Sequence, residues 1–399
     1  MLTLDKIYHA QYVLKSVVRP TDLIKAPNLK DGCEIYLKTE NLQITGSFKV
    51  RGAYYKISQL TEEEKARGVI ACSAGNHAQG VALAAAKNGI KSLICIPDGA
   101  PISKVEATKS YGAEVCLVEG AYDDAYNKAI ELQHQSGATF IHPFDDEMVI
   151  AGQGTIGLEI LDSLPDVDAV IVPVGGGGLI SGVAFAIKTL NPNIKVYGVQ
   201  SSGAASMVKA LEKHEIDTLP YVHTIADGIA VKTPGENTYE LCEKYVDEIV
   251  TVTDDEVSTA ILDLIEKQKL IAEGAGAVSV AAALFDKVDI KGKKVVCLVS
   301  GGNIDVTILS RVINRGLQKA GRLAELVIEL QDKPGQLRGV SRIISELGGN
   351  VVSINHDRAD VNIDINACYL RVSMETRNHE HVREIKDRLS QNGYKLVNN

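Results

Sequence analysis

Four separated stretches of this chain carry residue types that chemistry needs, and their order says more than any one of them. The first, Ser47-Phe48-Lys49-Val50-Arg51-Gly52-Ala53, offers the amine of Lys49. A lysine amine becomes a useful nucleophile or base only when its charge is removed, and forming an imine with an aldehyde does that while holding the aldehyde covalently. The second stretch is Ser73-Ala74-Gly75-Asn76-His77, the third Gly175-Gly176-Gly177-Gly178 and the fourth Ser300-Gly301-Gly302-Asn303. A run of glycines lets backbone N–H groups close on a phosphate. Asn76 can bond a phenolic oxygen, and Ser300 can face a ring nitrogen without holding a charge on it. Together these are the partners that a pyridoxal phosphate (PLP) cofactor needs.

Taken singly, each stretch has a plainer reading. Lys49 could simply stand near a helix start, and Ser73 and Asn76 could be ordinary helix caps. His77 reads as a cap or supporting residue and is given no acid or base role. The turn from Ser73 to Asn76 is rich in donors and suits a substrate carboxylate, aided by the dipole of the helix after it. The glycine run is harder to dismiss, because a structural turn needs one or two glycines and this has four. A dinucleotide fingerprint does occur at Gly152-Gln153-Gly154-Thr155-Ile156-Gly157, but no strand precedes it. The stretch from Glu147 to Ile160 reads instead as one helix whose small residues allow close packing.

The elements that would position these stretches alternate from about residue 34 to 320: short β-branched apolar runs, then amphipathic or alanine-rich segments. Strands are expected at Val69–Cys72, Ser92–Ile96, Val115–Val118, Ala169–Val172, Val196–Val199 and Val295–Val299. Nearly continuous apolar strands imply a parallel sheet covered on both faces. Helices are expected from His77 to Asn88, Leu179 to Leu190, and from Thr233-Pro234 through Tyr245. Ser73, Gly175 and Ser300 each come directly after a strand, at the carboxyl end where α/β sheets collect ligands. After Gly316 the texture changes to a β-α-β-β-α-β order, with strands at Leu326–Leu330, Val351–Ile354, Ala367–Val372 and Lys395–Val397. Helices are expected at Leu337–Leu347 and Glu380–Leu389. That is a ferredoxin-like module of roughly 75 residues, large enough to fold by itself.

The net charge of −9 argues against a nucleic-acid partner, which needs clustered Lys and Arg. No apolar run is long enough to span a bilayer, so no membrane partner is expected, and Met1-Leu2-Thr3-Leu4-Asp5-Lys6 reads as no signal peptide. Seven cysteines are scattered without a C-x-x-C pair, which fits a reducing cytoplasm and neither a disulfide framework nor a zinc site.

The motifs in this order resemble the fold-type-II PLP enzymes, specifically the threonine/serine dehydratases with a C-terminal ACT domain, over nearly the whole chain. Ser47 to Ala53 is similar to the dehydratase and serine-racemase form of the lysine motif, with Val50 where threonine and cysteine synthases typically have aspartate. Ser73 to Gln79, Gly175 to Leu179, Ala272-Glu273-Gly274-Ala275-Gly276-Ala277 and Ser300 to Asn303 are likewise similar to dehydratase signatures. The resemblance implies an α/β catalytic region over residues 1–320 built of two open twisted-sheet domains, the smaller near 41–145 and the larger from 1–40 and 146–320. An ACT regulatory domain would occupy 323–399. PLP would be held by Lys49, Phe48, Asn76, Gly175, Gly176, Gly177, Gly178, Leu179 and Ser300, and the amino-acid substrate by Ser73, Ala74, Gly75, Asn76 and His77. An amino-acid effector would meet Asp332, Pro334, Gly335, Gln336 and Leu337 between paired copies, within a homodimer or homotetramer; a plain dimerisation module is the alternative there.

The activity so implied is that of an L-threonine ammonia-lyase, releasing 2-oxobutanoate and ammonia, with L-serine as a slower substrate. Lys49, displaced by the substrate amine, would take the α-proton, and the β-hydroxyl would leave protonated through the cofactor phosphate. A serine-preferring dehydratase is the near alternative; a non-catalytic amino-acid sensor is the distant one, and intact Lys49 and Ser300 count against it. Related serine racemases carry a serine acid/base where Ala74 stands. Related divalent-cation sites have acidic side chains where Gln200 and Ser206 stand, so no divalent metal is expected there; a monovalent ion bound by carbonyls is the alternative left open.

Overall fold

The computed structural model describes residues 1–358 and 364–397, which divide into two compact units, Met1–Ile308 and Leu309–Asn399. In the first unit a six-stranded sheet runs in the order Leu23–Lys25, Glu34–Lys38, Lys294–Leu298, Ala169–Pro173, Lys195–Ser201, Glu248–Val252. Every neighbouring pair is parallel except the first. A second, four-stranded sheet is wholly parallel, in the order Glu114–Val118, Ser92–Pro97, Val69–Cys72, Thr139–Phe140. Val69–Cys72 and Ala169–Pro173 are buried at every residue, which is why both read as unbroken apolar runs rather than alternating ones.

The helices between strands supply the other half of the core. Gly178–Leu190 is buried from Gly178 through Ile187, and it packs with Val170, Val172, Val196 and Leu298 in one cluster. Glu147–Ser163 begins at Asp146, whose Oδ1 accepts from the N–H of Met148 at 2.8 Å and of Val149 at 3.1 Å. Such a cap satisfies donors that the first turn leaves without partners. The G-x-G-x-x-G sequence lies inside this helix, and Gly154 and Gly157 pack against Gly182 and Val183. It is a seam between two helices and not a turn at a helix start.

The second unit contains an antiparallel sheet in the order Asn350–Asp357, Ala367–Glu375, Leu323–Gln331, Lys395–Val397. With helices Gln336–Glu346 and His379–Gln391 it has the β-α-β-β-α-β order, over a core that includes Ile328, Val340, Ile344, Leu370, Val372, Ile385 and Leu389. The division between units falls within the helix Val306–Lys319, earlier than the change of texture in the sequence suggests. Only Val312 and Gly316 of that helix are buried, so it contributes little to a core. Among the described residues no helix is long and apolar enough to cross a membrane.

Candidate active site

Lys49 is placed by its neighbours on both sides. Ser47 bridges Gly301, and the Phe48 N–H donates to the Ser300 carbonyl at 3.1 Å, so the lysine loop is pinned to the fourth motif before the helix Lys49–Ser58 begins. Two residues on, Arg51 is wholly buried. Its guanidinium forks onto Glu40 at 2.8 Å from both Nε and Nη2, reaches Glu159 at 2.5 and 2.9 Å, and donates to Thr155 at 3.1 Å. Lys38 adds a 2.6 Å contact to Glu159. Burial pushes the Glu159 carboxyl up, but the charges of Arg51 and Lys38 outweigh that and hold it below its ordinary range. This bidentate geometry fixes the first turn of the lysine helix against Glu147–Ser163.

The Lys49 amine donates to the Pro143 carbonyl at 2.6 Å and stands 5.4 Å from the centre of the Phe48 ring. Burial pushes it down to about 8, with the Glu273 charge acting the other way. A buried amine that loses its proton so readily is suited to attack an aldehyde. Loading of cofactor-free protein should therefore accelerate with pH up to about 8 and then level, whereas an unburied lysine, near 10.4, would not level there. Stopped-flow absorbance checks this, and a rate still climbing steeply above pH 9 or so contradicts it.

The second motif turns from the strand Val69–Cys72 into the helix Asn76–Lys87. Ser73 Oγ accepts from the Gly75 N–H at 3.1 Å, and Gly75 is the cap residue, with no side chain bonded to the first turn. Neither Ser73 nor Asn76 caps this helix, so its leading N–H groups can take a carboxylate. His77 is buried, with Nε2 2.8 Å from the Ile141 carbonyl and Nδ1 without a partner. Burial, then the Lys49 charge, pushes it down to about 3, so it is neutral at ordinary pH.

The glycine turn is built from behind. Thr238 Oγ1 donates to the Gly176 carbonyl at 2.6 Å, and Gln200 Nε2 approaches the Gly175 carbonyl at 3.4 Å. Because a trans peptide sets N–H opposite C=O, pinning these two carbonyls turns the N–H groups of Gly176 and Gly177 the other way. Gly177 has φ +98°, a conformation that side chains rarely adopt, and the helix Gly178–Leu190 has no side-chain cap. The turn therefore presents unclaimed donors at the positive end of a helix, which is the chemistry a phosphate requires. Ser300, almost fully buried, donates from Oγ to the Ala275 carbonyl at 3.3 Å.

All of these residues line one cavity of about 670 Å³: Phe48, Lys49, Ser73 through His77, Gly175 through Leu179, and Ser300. Its rim carries two ion pairs, Lys104–Asp227 at 2.5 Å and Lys232–Asp123 at 2.8 Å. Pro143, Phe144 and Glu273 also line it. Sequence reasoning gave them no role, because their contacts span 94 residues for Lys49–Pro143 and 197 for Asn76–Glu273. Thr238 likewise carries no local signal. The uncapped glycine turn, the deprotonable Lys49 and the uncharged Ser300 fit a phosphate-bearing aldehyde cofactor. Asp332, Pro334, Gly335, Gln336 and Leu337 belong to the second unit, where Gly335 (φ +92°) precedes the helix Gln336–Glu346 and Asp332 pairs with Arg358 at 2.9 Å.

Residues 14–301 match the family described as pyridoxal-phosphate dependent enzyme. The chain belongs to that family. It is 52% identical over 398 residues to an L-threonine ammonia-lyase of Thermotoga maritima, an alignment covering 99% of each protein. An L-threonine ammonia-lyase of Geobacter sulfurreducens is 46% identical over 396 residues, 99% of this chain and 98% of that one. Among solved structures, threonine deaminase isoform 2 from Solanum lycopersicum superposes with a TM-score of 0.74 at 40% identity, covering 78% of this chain and 89% of that one. Maize serine racemase superposes with a TM-score of 0.75 at 35% identity, covering 80% and 98%. The fold is that of the fold-type-II PLP enzymes, and the cofactor is PLP.

Proposed function

We propose that this PLP enzyme is an L-threonine ammonia-lyase, converting L-threonine to 2-oxobutanoate and ammonia, with L-serine turned over more slowly. The observation that carries the reading is the meeting of Lys49, the Ser73–His77 turn, the glycine turn and Ser300 in one cavity, in a chain so similar along its length to two L-threonine ammonia-lyases. PLP, when bound, supplies an electron sink next to the substrate's α-carbon. At the start of the helix Asn76–Lys87 the turn from Ser73 to His77 would hold the substrate carboxylate, and the Lys49 amine would take the α-proton from Cα as general base. The glycine turn and Leu179 would hold the phosphate, Asn76 would meet the phenolic oxygen, and the Ser300 hydroxyl would face the ring nitrogen. A hydroxyl would not hold that nitrogen protonated, so the ring there would supply a weaker electron sink, the chemistry that favours loss of a β-hydroxyl as water over transamination. Steady-state release of 2-oxobutanoate from L-threonine and pyruvate from L-serine tests the reading; a higher kcat/KM for serine overturns the preference.

Racemisation needs a proton delivered on the face opposite Lys49, and Ala74 has none to give. Incubation with L-serine should yield pyruvate with D-serine at the limit of chiral detection. D-serine forming as fast as pyruvate would count against this assignment of faces.

The second unit, on this reading, is an ACT-like regulatory module that takes an amino acid at Asp332, Pro334, Gly335, Gln336 and Leu337 between copies in a cytoplasmic homo-oligomer. The uncapped helix at Gly335 offers N–H groups to a carboxylate. A chain ending at Lys319 should retain threonine turnover and lose its response to every effector amino acid; typical couplings of about 1–3 kcal/mol make that response easy to measure. Loss of turnover in a folded, PLP-loaded truncation contradicts the assignment.

A further inference from the structure

Glu273 is the residue of the cavity whose identity its own helix does not explain. It stands at the N-cap of Gly274–Leu284, where glutamate is not a favoured type, and it makes no capping hydrogen bond. Its backbone N–H donates to the Gly301 carbonyl at 3.1 Å, and its carboxyl lies so close to Gly301 that any side chain there would collide with it. The carboxyl reaches across the cavity wall instead, and Oε1 accepts from Asn76 Nδ2 at 2.6 Å. On its other side the Asn76 carboxamide accepts through Oδ1 from Asn303 Nδ2 at 2.7 Å, and the same Asn303 nitrogen donates to the Thr45 carbonyl at 2.7 Å. One chain of hydrogen bonds thus runs from the loop before Lys49, through the fourth motif and Asn76, to a buried carboxyl.

We propose that Glu273 is a positioning residue that sets, through the Asn76 carboxamide, the proton state of the cofactor's phenolic oxygen. A carboxamide has two N–H donors and one carbonyl. Asn303 occupies the carbonyl and Glu273 one donor, leaving a single N–H to be offered into the cavity, where an ionised phenolic oxygen is the acceptor it favours. The polarity of the relay is fixed at the Glu273 end, because the oxygen facing Asn76 must accept. Protonation of the carboxyl weakens that acceptance and therefore changes what Asn76 can offer the cofactor. The groups acting on Glu273 are Asp227 from the rim, Lys104 from the helix Ile102–Ser110, Asn76 and Lys49. Burial, then Asp227, pushes Glu273 up, opposed by Lys104, Asn76 and Lys49, and the carboxyl is left titrating at about 7.

The inference rests on the reading of Asn76 as the phenolic oxygen's partner, and holoenzyme spectra separate the two. The ratio of visible to near-ultraviolet absorbance of bound PLP, which reports the ionised against the neutral phenolic oxygen, should titrate in the wild type with a midpoint near 7. Glu273→Gln still offers Asn76 an oxygen but cannot titrate. Its ratio should be flat from about pH 6 to 8.5, with kcat lowered about tenfold, the scale of a hydrogen bond to a charged group, and KM for threonine within about twofold. Glu273→Ala should shift the ratio itself toward the near-ultraviolet form, because no acceptor holds the Asn76 donor. A Glu273→Gln ratio that titrates like the wild type, or a wild-type ratio flat over this range, overturns the proposal. An Asn76→Ala ratio equal to that of the wild type removes the underlying reading and this inference with it, whereas a shifted Asn76→Ala ratio beside an unshifted Glu273→Ala ratio removes this inference alone.

Discussion

Lys49→Ala should lower threonine turnover by at least about 10³-fold, because one side chain is asked both to tether the cofactor and to act as the base, and base catalysis alone accounts for about 10²–10⁴. The fold should survive. The Lys49 side chain is half-buried on the cavity wall and its amine bonds one carbonyl, that of Pro143, so truncating it removes a group that is costly to desolvate when charged rather than a support of the core. The sign comes from its titration: the folded protein releases this proton at about 8, well below an ordinary lysine, so burying the charge disfavours the folded state at every pH below that ordinary value. The cofactor-free variant should accordingly melt no lower than the cofactor-free wild type at pH 7. Steady-state keto-acid release with a thermal melt checks both halves. Brisk steady-state release from a folded variant would show that another group takes the α-proton.

Arg51→Ala should destabilise the protein by about 3–5 kcal/mol, the range for removing one partner of a buried ion pair. Glu40 is completely buried and Glu159 mostly so, and both would lose the fork that neutralises them. The loss comes mainly from the carboxylates left behind rather than from the pair's own attraction, so Arg51→Ala combined with Glu40→Gln should recover part of it. Urea unfolding of the three proteins measures the difference; equal midpoints for Arg51→Ala and wild type would mean that solvent reaches Glu40. Because Arg51 lies one half-turn beyond Lys49, turnover per folded molecule should fall as well.

What the sequence made legible was whatever local chemistry decides. Val69–Cys72 and Ala169–Pro173 are readable because strands buried on both faces have no polar residues to interrupt them. The glycine turn and the Ser73–Asn76 turn are readable because a strand end, small residues and a helix start lie within a few positions of one another. Glu273, Thr238 and Pro143 are different. Each acts through one atom on a partner far along the chain, and nothing in a glutamate before Gly274 says that it will face Asn76 rather than water. The resemblance covers the segment containing Glu273 without assigning it a task. Arg51 is visible as part of a motif, but its burial between Glu40 and Glu159 depends on two α-helices and the short 3-10 helix Glu40–Leu42 meeting. The boundary near the helix Val306–Lys319 differs for the converse reason: composition changes after that helix, whereas packing divides the chain within it.

The glycine turn has a consequence for endurance. If Lys49 both tethers the cofactor and acts as the base, as proposed, its covalent tether would be undone once per turnover. On the proposed reading, retention during that interval would fall to the non-covalent grip, which includes a turn whose carbonyls are bonded from behind by Thr238 and Gln200. The number of turnovers a molecule completes before its cofactor escapes would then depend in part on two residues outside the cavity lining, and loosening them would shorten the enzyme's working life before it slowed the reaction.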